Sequence, residues 1–125
     1  MSKPETIKID DVEYVKKETL IEKYERAEKY NGMKYVIVRT YSAGVFAGYL
    51  EKREGKEVVL RHARRIWYWS GAASLSQLAM SGTSDPDNCK FPEPVDKVEL
   101  TETIEILDVS VSAQKIISEV PIWKK

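Results

Sequence analysis

Apolar and polar positions change rhythm several times along this chain, and each rhythm predicts a different element. IKIDDVEYVKK, residues 7–17, alternates around Asp10 and Asp11, as a small hairpin or a single extended arm does. KKETLIEKYERAEKYNG then places Leu20, Tyr24 and Ala27 on one helical stripe, with Gly32 as a stop. That stripe is narrow for burial against a globular core. The helix it predicts, around residues 19–30, is therefore expected to meet a partner chain or to lie loosely on the surface. At Lys34 the composition shifts, and MKYVIVRTYS, rich in β-branched and aromatic residues, predicts a strand. VFAGYLEKR predicts the second strand and KEVVLRHARRIWYW the third, with Glu54 and Gly55 turning between them.

Beyond the third strand, SGAASLSQLAMSG reads as a short helix with Ser70 as N-cap and Gly82 as its end. TSDPDNCKFPEP, with its three prolines, is a loop. VDKVELTETIEILDV alternates along its length and predicts a fourth, long strand; VSAQKIISEV predicts a second helix stopped by Pro121. PIWKK closes the chain, with Trp123 expected against the domain. The fold class that results is α+β: a mostly antiparallel four-stranded sheet, a meander plus one later strand, with short helices to one side. Residues 1–33 form an N-terminal hairpin and helical arm, and residues 34–125 a single domain.

Composition narrows the function classes. A chain of 125 residues suits one compact core. The single cysteine, Cys89, and the single histidine, His62, exclude an intrachain disulfide and a thiolate zinc site, and fit a reducing compartment. With no signal-peptide core near the N-terminus and no long apolar run, the expectation is a soluble, cytosolic protein without a membrane segment. Net charge is zero, which argues against general nucleic-acid binding. The charge is unevenly spread: residues 34–69 hold 8 Lys and Arg against 3 Asp and Glu, whereas residues 70–125 hold 5 against 9. Five of the six arginines lie in that basic middle third. They serve either an internal match to the acidic last third or a local anion site.

Catalytic signatures are missing. The chain has no GxxxxGK[ST], no GxGxxG and no HExxH, and no orienting group is identifiable for a Cys89/His62 pair, so no catalytic residue, metal or cofactor is expected. Glu102 falls among Val98, Leu100, Ile104 and Ile106 on one strand face, which predicts a buried structural ion pair with an arginine across the sheet, with a catalytic acid or base as the lesser alternative. In YSAGVFAGY, Gly44 reads as a turn and Gly48 as a position of close approach by a neighbouring ring, backbone or ligand.

The third strand carries the main candidate site. Strict alternation puts Leu60, His62, Arg64, Ile66 and Tyr68 on one face and Arg61, Ala63, Arg65, Trp67 and Trp69 on the other. Arginine interleaved with tryptophan suits stacking on a planar anion, and equally suits a protein interface in which arginine stems cover the rings. The SGAAS segment adds open NH groups at a helix start. The candidate ligand-binding set is Arg39, Tyr41, Arg61, Arg64, Arg65, Trp67, Trp69, Ser70, Gly71 and Ala72.

RTYSAGVFAGYL and RRIWYWSGAASLSQLA, with NCKFP and the closing PIWK, resemble a family of small uncharacterised proteins encoded by tailed bacteriophages and prophages, from about Gly32 to Trp123. No activity comes with the resemblance. It implies a setting, the cytoplasm of an infected or lysogenic bacterium, and the usual roles of small non-catalytic phage proteins. The expected function is thus a homo-oligomer that binds and sequesters an anionic, nucleotide-like ligand, such as a cyclic nucleotide immune signal. The alternative is a structural or assembly accessory, or an inhibitor of a host protein, using the arginine and tryptophan face as its interface.

Overall fold

The computed structural model describes residues 26–125. The hairpin expected near Asp10 and the stripe positions Leu20 and Tyr24 lie outside the described residues. Five strands follow, β1 (Tyr35–Thr40), β2 (Val45–Glu54), β3 (Glu57–Ile66), β4 (Val95–Leu100) and β5 (Thr103–Asp108). Two helices, α1 (Leu75–Ser81) and α2 (Val111–Glu119), and a short 3-10 turn at Pro86–Asn88 complete the described residues. All strand pairs are antiparallel, in the order β4-β3-β2-β1-β5. The α+β class holds, with five strands in place of four.

The extra strand comes from VDKVELTETIEILD, which is two strands. Leu100 pairs with Val58 on β3, while Thr103 pairs with Thr40 on β1, at the opposite edge of the sheet. In a flat sheet four strand spacings would separate those edges by about 19 Å. Three residues of extended chain reach only about 10 Å. The sheet must therefore curl at this end, and Thr103 N–H donates to the Lys56 carbonyl of the β2–β3 turn at 3.1 Å. Alternation continues through the crossing, which is why the pattern reads as one strand.

Curling divides the core in two. Val36, Val38, Phe46, Val58, Leu60, Ala63 and Leu100 form a cluster of strand residues alone, where the sheet packs on itself. Tyr35, Ile37, Ala47 and Ile66 pack on the other face against Leu78, Ala79, Ala113 and Ile117 of the helices. β1 is buried on both faces, so YVIV is a continuous apolar run with no alternation.

β3 departs from strict alternation at His62. Tyr49 pairs with Arg61 and Ala47 with Arg64, so three steps on β3 oppose two on β2. The additional residue is a β-bulge at His62, whose φ of 50° is left-handed. Gly48 opposes the bulge. A Cβ there would come within 3.0 Å of the Arg61 carbonyl oxygen and 3.1 Å of Ala63 Cα, so the expected close approach is by backbone. The bulge exchanges the two faces: Leu60 and Ala63, which alternation separates, share one cluster.

Residues 26–30, expected as the end of a helix, are not helical. Tyr30 and Met33 exchange two backbone hydrogen bonds of 2.9 Å around Asn31 and Gly32, whose φ values of 51° and 80° make a tight two-residue turn. Ala27 is buried in the helix-side core, its N–H donating to the Val109 carbonyl at 2.9 Å. α1 also begins later than expected. Its N-cap is Ser74, not Ser70: Ser74 Oγ accepts from Gln77 N–H at 3.1 Å, and Gln77 Oε1 accepts from Ala73 N–H at 2.8 Å.

Candidate functional site, an exposed aromatic platform

β3 ends at Ile66, and the next residues run alongside the segment around Lys90. Trp67 and Tyr68 N–H donate to the Lys90 carbonyl at 3.2 and 3.3 Å, and Lys90 N–H donates back to Tyr68 at 2.8 Å. On the other side of this segment, Phe91 pairs in parallel with Ile122, and Trp123 N–H donates to the Phe91 carbonyl at 3.0 Å. Three short segments thus lie side by side, with Phe91 turned into the helix-side core and Trp67, Tyr68, Ile122 and Trp123 exposed. The Trp67 and Trp123 rings stack with centroids 5.0 Å apart and planes 10° from parallel. Lys90 Nζ lies 5.4 Å from the Trp67 centroid and 5.7 Å from those of Tyr68 and Trp123. Trp67 is 59% exposed, Tyr68 50%, Ile122 48% and Trp123 40%. Stacking and cation-π contacts of this kind are each worth about 1 kcal/mol at an exposed site, so the arrangement is held while about half of its area faces water.

Of the candidate ligand-binding residues, only Trp67 belongs to this platform. Trp69 is partly buried against the helix-side core, and its Nε1–H donates to the Ala72 carbonyl at 3.1 Å. Arg39 and Tyr41 lie at and beyond the end of β1; Tyr41 is exposed, and Arg39 pairs with Glu105 of β5 at 2.7 Å. Arg61 pairs with Glu51, which holds the Glu51 carboxyl below its ordinary range and raises the Arg61 guanidinium. Arg65 donates to the Ala43 carbonyl at 2.6 Å and lies 4.4 Å from the Phe46 ring centroid. Arg64 is buried and donates only to backbone carbonyls. Each of these arginines is engaged by its own chain. Arg39 to Glu105 and Lys34 to Asp108 are matches of the basic middle third with the acidic last third.

Ser70, Gly71 and Ala72 do not open a helix. The Ser70 hydroxyl donates to Asp85 Oδ2 at 3.0 Å, its N–H donates to Cys89 Sγ at 3.5 Å, and the Thr83 hydroxyl donates to its carbonyl. Gly71, at φ 83°, has Thr83 Oγ1 and Asp85 N within 2.5 Å of where a Cβ would stand. A carboxylate and a folded loop occupy the space expected to receive an anion.

Glu102 does not form the expected buried ion pair. It is exposed between β4 and β5, where the chain crosses from one sheet edge to the other, and its carboxylate accepts from the Ser42 hydroxyl at 2.9 Å. No arginine pairs with it among the described residues.

A second surface feature surrounds the bulge. The His62 ring meets Tyr30 and Tyr49 edge-on, at 5.1 and 6.1 Å, beside a cavity of about 650 Å³ that Arg61, Glu51 and Asp96 also line. Burial first, then Tyr30 and Glu28, raises the Tyr49 phenol. The NG dipeptide that sets Tyr30 here was the available signal in the sequence. Among the described residues no three His, Cys, Asp or Glu side chains gather as metal ligands, and no helix is long and apolar enough to cross a membrane.

Fold and surface together define a small α+β domain with a curled antiparallel sheet and an aromatic platform beside the end of its third strand. Residues 33–117 match a domain of unknown function, and the chain belongs to that family, DUF6948. The matched span holds Trp67, Tyr68 and Lys90 and ends before Ile122 and Trp123. No curated protein and no solved structure matches the chain.

Proposed function

We propose that this protein is a non-catalytic binding module that docks through the Trp67, Tyr68, Lys90, Ile122 and Trp123 platform, in the first instance onto a second copy of itself. The observation that carries the reading is the pair of stacked, exposed tryptophans, joined to Tyr68 through Lys90. Tryptophan and tyrosine dominate interface energetics, and a contiguous apolar patch on a small soluble domain marks a contact surface. Its test is multi-angle light scattering. The wild type is expected to exceed monomer mass as concentration rises, and folded Trp67→Ala to remain monomeric. Equal masses at every concentration would reject the reading.

A second reading rests on Lys90, one cation beside three rings. A planar anion stacked on the outer tryptophan face would pair with that ammonium, which keeps the nucleotide-sequestering role with Lys90 in place of the arginines. A cyclic di- or trinucleotide that raises the melting temperature, with the rise abolished in Lys90→Ala, supports it. No rise across such a panel excludes it. In either case the resemblance to phage proteins would set the module in the cytoplasm of an infected or lysogenic bacterium, with host proteins among its partners.

A further inference from the structure

Arg64 is 4% exposed and has no carboxylate partner among the described residues. Its guanidinium donates through Nη2 to the Phe91 carbonyl at 3.2 Å, through Nε to Pro92 at 3.3 Å and through Nη1 to Ile117 at 3.0 Å. The guanidinium carbon lies 5.4 Å from the Phe91 ring centroid. Burial depresses its pKa, as expected of a cation removed from water without a counter-ion. A hydrophobic residue would fill this place without that desolvation. What an arginine adds is a planar fork able to satisfy carbonyls of different segments at once.

Those segments are the ones that build the platform. Ile117 lies in the last turn of α2, where the helix dipole favours a cation, and its carbonyl accepts from Val120 N–H at 3.4 Å as well as from Arg64. Phe91 and Pro92 belong to the central segment of the platform, and the Phe91 carbonyl accepts from Trp123 N–H as well as from Arg64. Lys90, one residue before, holds Trp67. The chain therefore leaves α2 beside one Arg64 contact and lands at Trp123 on another.

We propose that Arg64 is the positioning residue of the platform: by bridging Ile117, Phe91 and Pro92 it fixes the end of α2 relative to the segment on which Ile122 and Trp123 land, and so keeps Trp123 in register with Trp67. Its functional meaning rests on the docking reading above.

The readout is the bisignate circular-dichroism band that two closely stacked indoles give, with Trp123→Phe defining its absence. In Arg64→Lys the charge stays but a single ammonium cannot serve three separated carbonyls. The band should fall to less than half while far-ultraviolet helicity and a cooperative urea transition remain. Arg64→Gln should behave alike. If it fails to fold, Arg64→Lys and the wild-type melt carry the test, since in the wild type the band should disappear together with global unfolding. A full band in Arg64→Lys, or a wild-type band that melts well before the domain, overturns the proposal. The association measurement separates the two claims. If the band is lost in Arg64→Lys but association persists, positioning stands and the docking reading falls; if the band and association both persist, positioning falls and docking stands.

Discussion

The two halves of RHARRIWYW behave as different materials. From Arg61 to Ile66 the chain is committed to the domain: one guanidinium meets Glu51, one is buried on three carbonyls, one covers Phe46, and Ala63 and Ile66 enter the two cores. From Trp67 to Tyr68 the backbone is tied down while the rings remain in water. Charge, which looked like the recognition chemistry, is spent on internal contacts. The aromatic area is what remains exposed. The difference teaches that an arginine-rich strand face says little until the acceptors within its own domain are known, because carbonyls and carboxylates nearby take the donors first.

Mutation can break that contrast at several points. Arg64→Met should have the largest effect, about 3 kcal/mol of stability in urea denaturation, because three charge-assisted hydrogen bonds, two of them buried, are lost, and the Phe91 and Ile117 carbonyls are left with Trp123 N–H and Val120 N–H alone. Gly48→Ala should cost about 1–3 kcal/mol by the same measurement, since the new Cβ meets the backbone of the His62 bulge. Tyr35 lies on the committed side of the molecule, and burial, reinforced by Tyr49, raises its phenol well above the ordinary value of 10.0. In the unfolded chain it ionises near that ordinary value, so its contribution is intact below pH 10 and declines as pH rises beyond it, at up to about 1.4 kcal/mol per pH unit. Tyr35→Phe should flatten the alkaline decline in a pH series of urea midpoints. Ser74→Ala should cost about 1 kcal/mol, whereas Ser70→Ala should leave the helix start unaffected. Trp67→Ala should cost about 1 kcal/mol or less, the value of one exposed stack, and still remove association.

Much of this fold was legible where local pattern decides the outcome. The YVIV strand, the β2–β3 hairpin, the close approach at Gly48, the loop of three prolines and the second helix follow from periodicity and turn chemistry. The misses share another cause. His62 bulges and VDKVELTETIEILD breaks at Thr101–Glu102 because the sheet curls, a long-range condition with no local signature. At Asn31–Gly32 the same residue pair serves as a helix stop or as a tight turn, and the contact of Ala27 with Val109 selects the turn. For the site, Trp67 was visible, but its partners Lys90 and Trp123 lie more than twenty residues away along the chain. Nothing near Trp67 announces them.

Burial of the platform on association is the central claim, and acrylamide quenching of tryptophan fluorescence tests it most directly. In Trp69→Phe only Trp67 and Trp123 report. Followed from dilute to concentrated protein alongside the mass, quenching should weaken in step with assembly as the stacked rings are covered. Quenching that stays constant while the mass rises would place the interface elsewhere and contradict the account.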